Sequence, residues 1–344
     1  MIEKILVVGS GSIGSRHLRI AREQFPNAEI NVLGHQAVSK IPDFSNGYFT
    51  TIEEAIEFAP KIAVIANPST FHIRIAQALA KIGTHLLIEK PISSTIDGVF
   101  ELIETCKELN CVLQVGYNLR YLPSLQKFRE LIQVGVIGKL LSVRCEVGQY
   151  LPTWRPENDY RLGVSANKNL GGGVLLELSH ELDYLQWIFG DVDWVRATLT
   201  RQSSLEIDVE DSAHLTFGFK SKKSESQLIG TLNMDFIRHD KARVCTAIGS
   251  KGSLRWDGIT GEVTVFEEGA LSWKILFTHS PQMDETYLAE WKEFVNCVNM
   301  GIAPVVTGQD GLRVLEIVES VRSSADSGAE VLVSDVRQEL RTIL

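Results

Sequence analysis

Lys90 and His180 are the residues of this chain whose types and settings best suit proton movement at a carbon-bound oxygen. Lys90 sits in Glu89-Lys90-Pro91, directly after the apolar run Leu86 to Ile88. Proline restricts the backbone of the residue before it, so a lysine here is held firmly and can donate a hydrogen bond to a substrate hydroxyl or carbonyl. A solvated surface lysine is the alternative. His180 belongs to Gly171-Gly172-Gly173-Val174-Leu175-Leu176-Glu177-Leu178-Ser179-His180-Glu181-Leu182-Asp183. Read as one helix, Val174 to Phe189 lines up Glu177, His180, Asp183 and Tyr184 on one side. Val174, Leu178, Leu182 and Leu185 then form an apolar stripe. A carboxylate beside an imidazole tunes a general base and fixes its tautomer. A capped surface helix with a paired histidine competes with that reading.

A dinucleotide site is written near the N-terminus. Gly9-Ser10-Gly11-Ser12-Ile13-Gly14 follow the buried-strand run Ile5-Leu6-Val7-Val8 and open a helical segment, Ile13 to Phe25. Gly9 permits the tight turn, Gly11 lets the backbone approach a pyrophosphate, and Gly14 lets helix and strand pack closely. The phosphates would sit on free N–H groups at the positive end of the helix dipole; the competing reading is a tight turn without a ligand. Ligands of open parallel sheets bind outside the strand carboxyl ends. Ala66-Asn67-Pro68-Ser69-Thr70-Phe71-His72 follows a third strand and Glu89-Lys90-Pro91 a fourth. Ala66, Asn67, Pro68, His72, Glu89 and Lys90 are therefore expected at the cofactor. After the second strand, Leu33-Gly34-His35-Gln36 offers neither an acid for ribose hydroxyls nor an arginine for a 2′-phosphate; His35 and Lys40 are the nearby cations. The expectation is NAD(H), with NADP left open.

Tyr150, Trp154, Arg155, Asp159, Tyr160, Arg161 and Lys168 crowd the irregular stretch before the three glycines. Aromatic faces stack on sugar C–H surfaces and cations hold carboxylates or phosphates, which suits a polyhydroxylated ligand; an ordinary surface loop is the other reading. Together with Arg120, these cations suggest an acidic sugar or nucleotide-sugar. The acidic excess of the later part of the chain opposes that.

The elements that must position these groups change character near residue 120. Before it, apolar strand runs (Ile30 to Leu33, Ile62 to Ala66, Leu86 to Ile88, Val112 to Gly116) alternate with helices, which predicts a doubly wound parallel sheet. After it come a helix near Pro123 to Gln133 and then mostly strands with short turns, which predicts an antiparallel sheet. Two helices close the chain, near Met283 to Val298 and Gln309 to Ser324. The fold class expected is α/β: a Rossmann domain over 1–120 and an α+β domain over 121–344, with a cleft between them. A length of 344 residues with 44% hydrophobic and 22% charged content fits a soluble two-domain protein. No run is apolar enough to span a bilayer and no signal-peptide layout opens the chain, so a cytoplasmic protein without a membrane partner is expected. Five scattered cysteines without ligand spacing argue against a metal site. A net charge of −9 with no basic aromatic patch argues against nucleic acid.

These pieces, in this order, resemble the glucose–fructose oxidoreductase and inositol dehydrogenase (Gfo/Idh/MocA) family over nearly the whole chain. The motifs are the glycine turn, Asn67-Pro68 through His72, Glu89-Lys90-Pro91, Gly116-Tyr117-Asn118 with Arg120-Tyr121, and Gly171-Gly172-Gly173 with His180 through Asp183. The resemblance implies a Rossmann domain, a C-terminal domain with a large open sheet, NAD(P)-dependent oxidation or reduction of a sugar-like substrate, and homodimers or homotetramers built on that sheet. Lys90 matches the family's catalytic lysine and His180 its acid/base histidine; Asn118 joins the cofactor-binding set and Arg120 the substrate-binding set. Many members carry an aspartate four residues before the histidine, where this chain has Leu176. Glu177, three before it, shares that side of a helix and can take the role, and Asp183 keeps its spacing. The expected reaction is oxidation of a secondary alcohol, or its reverse. The rivals are a non-redox enzyme with tightly held NAD that cleaves a glycosidic bond through a transient ketone, and a non-catalytic dinucleotide-binding sensor.

Overall fold

A computed structural model describes residues 2–36, 38–221, 226–280 and 282–343. Its contacts divide the chain into two units, Met1–Tyr117 with Tyr287–Leu315, and Asn118–Thr286 with Glu316–Leu344. The sequence assigns everything after residue 120 to the second domain; by contacts, the segment Tyr287–Leu315 groups with the first.

The first unit opens with β1 (Lys4–Val8), α1 (Ser12–Gln24), β2 (Glu29–Leu33), β3 (Gly47–Phe49) and α2 (Ile52–Phe58). It continues through β4 (Ile62–Ile65), α3 (His72–Ala80), β5 (His85–Ile88), α4 (Val99–Glu108) and β6 (Leu113–Val115). The strands form one parallel sheet in the order β3-β2-β1-β4-β5-β6. Order reverses between β1 and β4, and ligand crevices of such sheets open at that switch. Strands covered on both faces read as continuous apolar runs, and Ile5, Leu6, Val7, Ile62, Ala63, Val64 and Ile65 are fully buried. Trp291, Phe294 and Cys297 pack in the same core cluster as Ile5, Val7, Leu18 and Val32. That burial explains why a late helix joins the first unit. Strand β3 and helix α2 were not expected: β3 is three residues long, and α2, at seven, is held by a capping box between Thr51 and Glu54.

The second unit holds α5 (Pro123–Gln133), β7 (Leu140–Gly148), α6 (Val174–Glu177), α7 (His180–Phe189), β8 (Val192–Thr200), β9 (Ser212–Phe219) and β10 (Ile229–Asp235). Then come β11 (Ala242–Gly249), β12 (Gly252–Asp257), β13 (Glu262–Glu267) and β14 (Lys274–Thr278). After α8 (Glu285–Met300) and α9 (Gly308–Ser327), in both of which the chain passes between units, β15 (Val331–Leu332) and α10 (Val333–Ile343) end it. Nine strands form one sheet, ordered β14-β13-β12-β11-β7-β10-β9-β8-β15. All its pairings are antiparallel except β7 with β10, whose long connection through α6, α7, β8 and β9 allows the parallel match.

The expected single helix over Val174 to Phe189 is two helices. At Ser179 and Glu181 the backbone N–H groups donate to Leu176 O and Leu178 O, three residues back, so the ladder tightens and α6 ends before α7 begins. The apolar residues Val174, Leu178, Leu182 and Leu185 are buried all the same.

Candidate active site

In the first unit the glycine turn is shaped by contact. Gly9 has φ +92°, and a Cβ there would lie 2.9 Å from Ala66 O and 3.0 Å from Asn67 Cα. A Cβ on Gly14 would strike Gly9 O at 2.0 Å, so helix and turn need both glycines. A Cβ on Gly11 meets nothing within 4 Å, and Ser10, Gly11 and Ser12 are exposed. The first helical bond runs from Ser15 N–H to Gly11 O (2.8 Å), and the N–H groups ahead of it lack intrahelical acceptors. Among the described residues, Asn67 Oδ1 is buried without a hydrogen-bond partner. An open approach, unpaired donors at a helix N-terminus and a buried acceptor beside them fit a dinucleotide pyrophosphate. At the end of β2, His35 is exposed and Tyr48 Oη donates to Gln36 O (2.9 Å). Lys40 is paired with Asp43 (2.9 Å), which leaves a 2′-phosphate little cationic help.

The Glu89-Lys90-Pro91 loop is gripped from two sides. Glu89 Oε1 is 2.8 Å from His17 Nε2, and its Oε2 accepts the backbone N–H of Lys90 at 3.1 Å. Burial alone would raise the Glu89 carboxyl, but the His17 hydrogen bond and the Lys90 charge hold it below its ordinary value. His72 is buried, with Nδ1 3.1 Å from Pro91 O and Nε2 2.7 Å from Asn67 O. Burial pushes its imidazole down despite these carbonyls. His72, grouped by sequence with the cofactor ligands, therefore joins the loop after β4 to the loop after β5.

In the second unit Gly172 and Gly173 have packing reasons, and Gly171 has φ +81°. A Cβ on Gly172 would meet Val164 O at 2.3 Å; Gly173 has φ +104° and lies against the Glu210 carboxylate. His180 is the first residue of α7 and is half-buried. Glu177 accepts from Ser165 Oγ (2.8 Å). Asp183 takes both arms of Arg120, from Nε at 2.9 Å and Nη2 at 2.6 Å, with both residues buried. The guanidinium of Arg120 also stands 5.7 Å from the Trp187 ring centroid. The sequence pictures Arg120 reaching for a substrate and Asp183 orienting His180; the structure joins them to each other. Glu181, adjacent to His180, is buried and pairs with Arg243 at 2.7 Å.

Other candidates have partners as well. Asn118 donates to Thr286 Oγ1 (3.0 Å). Arg161 is bound by Asp159 (2.7 Å) and Glu206 (2.8 Å), and Tyr160 Oη accepts the Glu206 N–H at 3.3 Å. The Tyr150 ring lies tilted against that of His239 with centroids 4.4 Å apart, and Trp154 meets Phe236 edge-on at 5.1 Å. Arg155 and Lys168 are exposed. His17, Trp291, Ser165, Glu181 and Arg243 escaped the sequence reading. For His17 a signal existed: it lies three residues from Gly14 and four from Ala21, on the buried stripe of α1.

Family models match both parts of the chain: an oxidoreductase NAD-binding Rossmann fold over residues 3–117, and the C-terminal alpha/beta domain of the same oxidoreductase family over 129–333. The chain belongs to the Gfo/Idh/MocA oxidoreductase family. It is accordingly an NAD(P)-dependent oxidoreductase with an NAD-binding Rossmann domain. Myo-inositol 2-dehydrogenase of Thermotoga maritima is 28% identical over 295 residues, 82% of this chain and 83% of that protein. The rhizopine catabolism protein MocA of Rhizobium meliloti is 30% identical over 188 residues, 54% of this chain and 56% of its own. Among solved structures, levoglucosan dehydrogenase in complex with NADH shares the fold at TM-score 0.83 and 20% identity, covering 96% of this chain and 99% of that one. No helix among the described residues is long and apolar enough to cross a membrane.

Proposed function

We propose that this oxidoreductase oxidises a secondary hydroxyl of a neutral sugar or cyclitol, or reduces the corresponding ketone. The observation that carries the reading is Lys90, fixed at the carboxyl end of β5 in an NAD-binding sheet by the bond from its backbone N–H to Glu89. Lys90 donates a hydrogen bond to the oxygen that becomes an alkoxide, and His180 accepts the hydroxyl proton. NAD, when bound, supplies the hydride acceptor. Glu177, held by Ser165, is the carboxylate assigned to His180. Neutrality of the substrate is supported by two cations already compensated, Arg120 by Asp183 and Arg161 by Asp159 and Glu206. The relatives named for inositol, D-xylose and levoglucosan accord with it.

Location in the cytoplasm and assembly as a homodimer or homotetramer belong to the same proposal. The exposed face of the nine-stranded sheet, with Arg144, Glu146, His214 and Asn233, is the surface offered for that assembly. Lys90→Met and His180→Ala test the catalytic reading. Each should lower kcat by at least about 10³-fold, with NADH affinity within about threefold of wild type. Turnover unchanged in both variants refutes it.

A further inference from the structure

We infer that His17 and Trp291 are positioning residues for Lys90, acting through Glu89 on the peptide that carries the lysine. The inference rests on the assignment of Lys90 to the substrate oxygen. Trp291 Nε1 lies 2.8 Å from His17 Nδ1. An indole N–H can only donate, so His17 Nδ1 accepts and the imidazole proton sits on Nε2. That proton points to Glu89 Oε1, 2.8 Å away. The other carboxylate oxygen receives the Lys90 N–H at 3.1 Å. Indole donates to imidazole and imidazole to carboxylate, and the same carboxylate accepts the Lys90 peptide N–H, so the four groups are joined in one network. His17 and Trp291 are fully buried, and Glu89 is 8% exposed.

Packing leaves the network little freedom to reorient. The Tyr287 ring stands edge-on to His17 at 5.8 Å, and Arg16 covers that ring at 4.7 Å. From the opposite side, Pro91 O meets His72 Nδ1 at 3.1 Å. The three-residue loop is therefore held at its first member, Glu89, and packs at its last against His72, with Lys90 between them. A displacement of about 1 Å at a catalytic group costs on the order of 100-fold in rate, so a fully satisfied buried network at this loop has a functional consequence beyond packing.

The test uses the full chain, with lysines ¹³C-dimethylated and the Lys90 resonance assigned by its loss in Lys90→Arg. His17→Phe keeps the bulk and removes the donor; Trp291→Phe removes the indole N–H together with part of the buried ring, so its melting temperature is read beside its kcat; His17→Gln restores a donor. Turnover is read on myo-inositol, D-xylose and levoglucosan, and NADH binding by fluorescence. His17→Phe should move the Lys90 resonance and lower kcat about 10- to 100-fold, with NADH affinity within about threefold. Trp291→Phe should do the same more weakly, and His17→Gln should recover part of the loss. An unmoved Lys90 resonance with unchanged kcat in folded His17→Phe overturns the inference. So does a parallel fall of melting temperature, NADH affinity and kcat without recovery in His17→Gln. Where His17→Phe does not fold, Trp291→Phe is judged by the same criteria. Turnover that ignores Lys90→Met would break the assignment of Lys90, while the resonance alone would still decide the positioning.

Discussion

The loop that carries Lys90 and the start of the helix that carries His180 each set a proton-active side chain near a buried carboxylate, and they obtain opposite results. Glu89, next to Lys90 in sequence, binds that residue's own peptide and draws its second partner, His17, from 72 positions away. Asp183, one turn from His180, is claimed by Arg120, 63 positions away. A bidentate guanidinium is a stronger partner for a carboxylate than an imidazole one turn along a helix. Helical spacing shows which groups can meet, and partners distant in sequence add bonds that spacing does not reveal.

The largest effect should come from breaking the Arg120–Asp183 pair. Asp183→Ala takes the bidentate carboxylate from the buried Arg120 guanidinium, and should cost about 3–5 kcal/mol of stability in urea denaturation. A loss confined to kcat, with stability within about 1 kcal/mol, would return Asp183 to His180.

The first unit should show the sharper acid sensitivity. Burial, and after it the charge of Lys61, lowers the His85 imidazole to about 4, and its Nδ1 accepts the Val112 N–H at 2.9 Å. Its folded value lies below the unfolded value of 6.5. Stability is therefore complete above about pH 6.5 and is lost as pH falls toward 4, by roughly 2 kcal/mol once partial exposure is discounted. His85→Gln should flatten that slope in denaturation curves taken across the range. An unchanged slope would exclude His85 as its source.

A smaller effect of opposite pH sense is expected at Glu290. It is fully buried, and its carboxyl oxygens have no hydrogen-bond partner among the described residues. Burial, then the charges of Glu89 and Glu293, raises its carboxyl well above the ordinary range. The unfolded chain ionises first, so stability declines as pH rises above about 4.5. Glu290→Gln should raise the melting temperature at pH 8 by about 2 °C or more, and no gain there would contradict this reading. The smallest effect belongs to Arg161, already paired twice: Arg161→Ala should change KM by less than about twofold. A rise above about tenfold would show that it holds a substrate carboxylate.

Much of the fold was legible because it is local. Buried parallel strands appear as short apolar runs, and Gly9 and Gly14 announce the turn they make possible. Helix α2 went unread although Thr51 and Glu54 form its capping box, because seven residues are too few to show a period. Lys90 and His180 could be named from their motifs. Their supports could not, because Trp291 is 274 residues from His17 and an amphipathic helix does not state which core it will enter. The break between α6 and α7 likewise rests on two tightened backbone bonds, which side-chain periodicity does not register.

The most direct test of the account follows the hydride. The protein is incubated with NAD⁺ and carbon-deuterated myo-inositol, D-xylose or levoglucosan, and the nicotinamide is analysed by mass spectrometry. Deuterium should enter NADH with one of these neutral sugars, and its appearance should slow by at least about 10³-fold in Lys90→Met. Conversion of a sugar with no deuterium in released NADH would contradict the account and favour a non-redox cycle on retained cofactor; NAD binding without any conversion would favour a sensor.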